Sequence, residues 1–180
     1  KMEMECDLRA AEKGEKPFPA EKYVNKIPVK KHDHVLIPAG TVHCSGKNTM
    51  VLEISATPYI FTFKLWDWGR LGMDGLPRPI HIEHGMKNIQ WDRDTKWVYE
   101  NIVGQEKTLE KTKDCEIERT GLHSREFIDT IRYTLSAPYT VSMDDTVHVI
   151  NLVDGRSARI ESVDGTFEPF TVHYAETAIV

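Results

Sequence analysis

The sequence is short of cysteine, of basic excess and of long apolar runs, and each shortage removes a class of protein. Cys6, Cys44 and Cys115 are odd in number, widely spaced and never arranged as Cys-x-x-Cys. That excludes a disulfide framework and points to a reducing, cytoplasmic compartment. Lys and Arg total 23 against 28 Asp and Glu, a formal charge of −5, so the basic surplus of a nucleic-acid binder is missing. No apolar run approaches the roughly 18 residues that a transmembrane helix needs, and no signal peptide is visible, so no membrane partner is expected. No repeat of fixed period occurs. The chain opens on Lys1 rather than Met and stops at Ala178-Ile179-Val180, in what reads as a strand; it is expected to be a piece of a longer protein.

What is present is a soluble composition, 40% hydrophobic and 28% charged, on a chain long enough for one large domain or two small ones. Residues 2–13 are a helical candidate, broken by Pro17-Phe18-Pro19. From Tyr23 to Trp68, short runs rich in Val, Ile, Phe and Thr between Gly, Asn and Pro read as strands. The organising stretch is Val29–His43. Val35-Leu36-Ile37 and Thr41-Val42 flank Pro38-Ala39-Gly40, a strand, tight turn and strand that deliver His43 into a sheet. Residues 50–54 and 60–65 predict two further strands, and Leu71–Pro79 a loop. Ile82, Met86 and Ile89 form a helical stripe. Residues 91–113 look charged and irregular, with 104–113 as a linker. The β pattern returns at 126–135, 146–153, 156–163 and 167–174, with Asp154-Gly155 and Asp164-Gly165 as turn signals. The expected architecture is mainly β, two β-rich units joined by a short helical and loop segment, divided as 1–75, 76–125 and 126–180.

Several polar residues carry candidate chemistry. A His held rigidly in a sheet can offer an imidazole nitrogen to a metal, and the plain alternative for His43 is a satisfied core residue. His32 and His34 would share one face of a strand, or else occupy a hairpin tip. His81 and His84 lie three apart on a helix, where a solvated helix end is the simpler reading. Lys64, Asp67 and Arg70 form a charged group that is either a site for an anionic substrate or a solvated edge. Trp66 and Trp68 read as packing.

Pro38, Gly40 and His43 match the spacing of the second cupin motif, with His32 in place of its Gly and Asn48 one position late for its Asn. The wider run Ile37–His43, Leu52-Glu53-Ile54 and Trp66-Asp67-Trp68-Gly69-Arg70 resembles the class I mannose-6-phosphate isomerases of bacteria. The resemblance is close over 22–75 and weaker from Glu126 onward. It implies a cupin jelly roll, or double-stranded β-helix, with His43 as one zinc ligand beside a Gln-x-His pair and a Glu. No Gln-x-His occurs in this sequence. It implies that Lys64 stands where the family has an active-site Arg, that Arg70 matches a family Arg, and that Glu53 is not a ligand. It also implies a metal-free second unit, since Ser142, Asp144 and His148 occupy the positions of ligands that a first cupin motif ending at Gly155 would need. The implied reaction interconverts mannose 6-phosphate and fructose 6-phosphate, both hexose phosphates. A non-catalytic sugar-phosphate-binding cupin and a structural part of a larger enzyme are the alternatives.

Overall fold

The computed structural model describes residues 1–55, 62–121, 124, 128–144 and 146–180. Ile60 and Phe61, at the start of the expected strand 60–65, lie outside the described residues, as do Glu126 and Phe127. The chain divides into two compact units, Lys1–Ser136 and Ala137–Val180.

In the first unit, α1 (Met2–Glu12) forms within the helical candidate at 2–13. Met4 and Leu8, one helical turn apart, are buried on one face. That face packs on α2 (Ile82–Asn88) through Ile82 and Met86, and Phe18 completes the cluster. Leu8 and Ile82 are almost wholly enclosed, and burial of each contributes about 1.5–3 kcal/mol. Gly85 of α2 faces Leu65 so closely that an added Cβ would lie 2.5 Å from Leu65 Cδ2. The segment after Phe63 is thereby pressed against the helix.

A polar network ties α1 to the short 3₁₀ turn Ala20–Lys22. Buried Asp7 accepts from Lys16 Nζ at 2.6 Å and from the Tyr23 hydroxyl at 2.6 Å. A second cluster joins Leu36 to Val98 of α3 (Thr95–Asn101) and to Ile102 just after it. Asp94 caps that helix by accepting from Trp97 N at 2.8 Å. The sequence reading of 91–113 as irregular missed α3. It also missed β1 (Lys107–Lys111), which is exposed at every position and so shows no apolar alternation. β1, β2 (Cys115–Gly121) and β3 (Thr130–Leu135) make an antiparallel meander in that order, with Cys115 and Ile117 of β2 buried.

The second unit carries β4 (Val149–Asn151), β5 (Ser157–Ile160), β6 (Phe170–His173) and β7 (Thr177–Ile179). β5 pairs with β6 and β4 with β7, Ser157 facing His173 and Asn151 facing Thr177. The four strands are therefore one long two-stranded hairpin. Its far end lies beyond β5, where Asp164-Gly165 turns the chain. Asp154-Gly155 does not join paired strands. It is an extruded bend within one arm, with Ala175 N donating to Leu152 O at 2.9 Å on its near side.

The β-rich, antiparallel class agrees with the sequence reading in these small sheets. The strands expected between 29 and 54 are the main departure. Among the described residues of that stretch the ladder contact is one bridge, Val35 with Val103. A strand exists only with a partner to bond to, and Met50, Val51, Leu52 and Ile54 are exposed without one in the described structure.

Candidate active site

The turn before His43 is built as its residues predict. Gly40 has φ +82°, and Thr41 N and Oγ1 both donate to Pro38 O, at 3.2 and 2.7 Å. The turn is also fastened from outside. Gln90 N donates to Gly40 O at 3.0 Å. Arg93 Nη1 donates to Pro38 O at 2.9 Å and Ala39 O at 3.0 Å, and also to Thr41 Oγ1. Arg93 carried no recognisable signal, because its partners lie more than fifty residues away.

His43 is exposed rather than packed in a core. Its Nδ1 lies 2.9 Å from Thr41 O. A carbonyl only accepts, so Nδ1 carries a proton, and in the neutral ring the lone pair is on Nε2. One imidazole is thereby orientable toward a ligand. Among the described residues no group of three or more His, Cys, Asp or Glu could hold a metal ion. Zinc needs three or four protein ligands, so the described residues do not by themselves fit it.

The other histidines separate. His32 has φ +72° at a tight turn closed by Asp33 N to Lys30 O at 3.1 Å, with no paired strands flanking it among the described residues. His34 is half-buried beside a cavity of about 160 Å³ lined by Ile27, Val35, Val103 and Glu106. Burial pushes its pKa down, Glu106 opposes that, and Arg132 adds to it. His81 is the residue before α2. Its backbone N donates to Lys64 O at 2.6 Å, and its Nδ1 accepts from Lys64 N at 3.3 Å. His84 stacks on Phe63, ring centroids 5.9 Å apart.

Lys64, Asp67 and Arg70 come together as the sequence grouped them. Lys64 Nζ donates to Asp67 Oδ2 at 3.3 Å, and Arg70 N donates to Asp67 O at 2.9 Å. A residue that sequence reasoning passed over joins them: Arg78 Nη1 lies 3.1 Å from the same Asp67 Oδ2. Asp67, Arg70 and Arg78 line a cleft of about 190 Å³ with Trp66 at its wall. Trp66 packs edge-on against Phe18 at 5.6 Å, as the packing reading expects, while Trp68 stays largely exposed beside it. The signal for Arg78 was present as a second Arg across a Gly- and Pro-rich loop from Arg70. His43 is not among the residues lining this cleft.

Set against known proteins, the chain is similar over about a third of its length to mannose-6-phosphate isomerases. A mannose-6-phosphate isomerase of Streptococcus mutans is 36% identical over 63 residues, 35% of this chain and 20% of the relative. A probable mannose-6-phosphate isomerase of Bacillus subtilis, GmuF, is 35% identical over 66 residues, 37% of this chain and 21% of the relative. The mannose-6-phosphate isomerase ManA of Bacillus subtilis is 29% identical over 70 residues, 39% of this chain and 22% of the relative. The matched part of the chain thus spans about a fifth of the length of these curated relatives. No family model matches the chain, and no solved structure matches it. No helix among the described residues is long and apolar enough to cross a membrane.

Proposed function

We propose that the chain is part of an aldose–ketose isomerase acting on a hexose phosphate, interconverting mannose 6-phosphate and fructose 6-phosphate in the cytoplasm. The observation that carries this reading is its similarity to three proteins named as mannose-6-phosphate isomerases. The reaction moves a proton between C1 and C2 through an enediol, and the developing oxyanion needs a nearby cation. Lys64, anchored by Asp67 and by its backbone pairing with His81, would contact the substrate, and Arg70 would neutralise its phosphate. His43, with its lone pair on Nε2, would serve as one ligand of a zinc ion. Its remaining ligands would lie outside the described residues. A complete cupin jelly roll would likewise need partners for residues 50–54 beyond those described here.

The test is a coupled assay with mannose 6-phosphate on the full-length protein, beside elemental analysis for zinc. His43→Ala should remove metal and activity together. Lys64→Ala should keep the metal and lower turnover on the order of tenfold or more, the value of a lost charge-assisted contact. Lys64→Arg should preserve or raise activity, since Arg stands there in the resembled enzymes. A Lys64→Ala protein as active as the parent would remove Lys64 from the reaction. Binding without turnover is the second reading, favoured by Lys64 itself: an ammonium replaces the planar guanidinium at that position. A zinc-loaded parent that binds the sugar phosphate without isomerising it would establish that reading.

A further inference from the structure

Residues 70–78 form a small hairpin whose two ends are both arginine. Leu71 bridges Pro77, Arg78 N donates to Arg70 O at 3.1 Å, and Gly72 N donates to Leu76 O at 2.7 Å. Gly75, at φ +76°, turns the tip, and Leu76 N donates to Asp74 Oδ1 at 3.0 Å. This register sets Arg70 and Arg78 directly opposite one another. Like charges in that position repel and disfavour the hairpin unless an anion lies between or beside them.

Asp67 Oδ2 is shared by Arg78 and Lys64, at 3.1 and 3.3 Å. Lys64 and Arg78 therefore share one carboxylate, while Arg70 and Arg78 both line the cleft. Glu12 also lines the cleft and pairs at 3.5 Å with Arg9, which Glu5 engages at the same distance. The Arg70 guanidinium makes no ion pair among the described residues. Asp67 itself is mostly covered, 13% exposed, whereas Arg78 is 41% exposed and able to meet an incoming ligand while keeping its contact to Asp67.

From this we propose that the Arg70–Arg78 hairpin is an anion-recognition element that takes the phosphate group of a phosphorylated sugar, with Arg78 a specificity-determining residue and Asp67 holding it in place. Two guanidinium forks from opposite arms can each offer a pair of N–H donors to a tetrahedral dianion. Trp66 stands at the wall of the same cleft. The identity of the sugar rests on the isomerase reading; the anion site does not.

The experiment is a titration of the full-length protein with mannose 6-phosphate, inorganic phosphate and unphosphorylated mannose, followed by calorimetry and by tryptophan fluorescence. Parent, Arg70→Gln, Arg78→Gln and Arg78→Lys proteins are compared, with Tm confirming that each is folded. The parent should bind mannose 6-phosphate much more tightly than mannose. Each Gln variant should lose on the order of tenfold in affinity for both phosphate-bearing probes and nothing for mannose. Arg78→Lys, which keeps charge and loses the fork, should fall between. Phosphate binding lost in Arg78→Gln, with a parent that shows no isomerisation, would uphold the anion site and overturn the isomerase reading. Gln variants that bind inorganic phosphate as the parent does, or a parent that does not distinguish mannose 6-phosphate from mannose, would overturn the anion site whatever the isomerase assay shows.

Discussion

Replacing Gly40 with Ala should damage this protein more than any other glycine-to-alanine change in its first unit with a left-handed backbone. Gly40 sits at φ +82°, where an L side chain costs about 1–2 kcal/mol. The added Cβ would also lie 2.6 Å from Asn88 O and 2.8 Å from Gln90 Cγ. The first of these is backbone at the end of α2 and cannot swing away. The turn must then shift outward, which strains the 3.0 Å bond from Gln90 N to Gly40 O, worth about 0.5–1.5 kcal/mol. Ala restricts the unfolded chain and returns about 0.4–1 kcal/mol. The net loss is about 2 kcal/mol, a fall in Tm of roughly 4–8 °C for a protein of this size. Gly14→Ala is the matched control: its φ is +74°, yet nothing lies within 4 Å of the new Cβ. It should lose only the dihedral part. Thermal unfolding of both variants, read by circular dichroism, separates strain from collision. Equal Tm values for the two would show that the turn is not seated on residues 88–90 as described.

Two pH dependences follow from the same unit. Asp7 is held down to about 2 by hydrogen bonds from Lys16 and Tyr23, against the opposing effect of burial. Its folded pKa lies below the unfolded value of about 3.9. Its stabilisation is therefore present above about pH 4 and is lost as pH falls toward 2, and Asp7→Asn should flatten that acid limb in urea titrations run at successive pH values. His34 is shifted down by burial, with Glu106 and Arg132 acting in opposite senses, so the unfolded chain takes up its proton more readily than the folded one. Stability should decline as pH drops below the unfolded value of about 6.5, and His34→Gln should lessen that decline; an unchanged slope would mean that His34 is not the group responsible.

Features set by a few adjacent residues were legible in the chain itself. The turn at Pro38-Ala39-Gly40, the tight turn at His32, the helices around Leu8 and Met86 and the turn at Asp164-Gly165 all follow from backbone restrictions or periodicity within one element. The grouping of Lys64, Asp67 and Arg70 was legible for the same reason, since they lie within seven residues. Pairing was not. Residues 50–54 have strong β propensity but no partner in the described structure, while Lys107–Lys111, with little apolar character, is a strand because β2 bonds to it. Asp154-Gly155 looks like a hairpin turn, yet β4 bonds to β7 across the whole length of the β5–β6 ribbon. Arg93 clamps a turn more than fifty residues upstream, and Arg78 reaches the carboxylate of Asp67 only because the hairpin folds it back beside Arg70. Local dihedral preference acts over a turn or two of chain. Hydrogen-bond partners and shared charges are chosen by which segments meet in space, and that was decided by the tertiary fold.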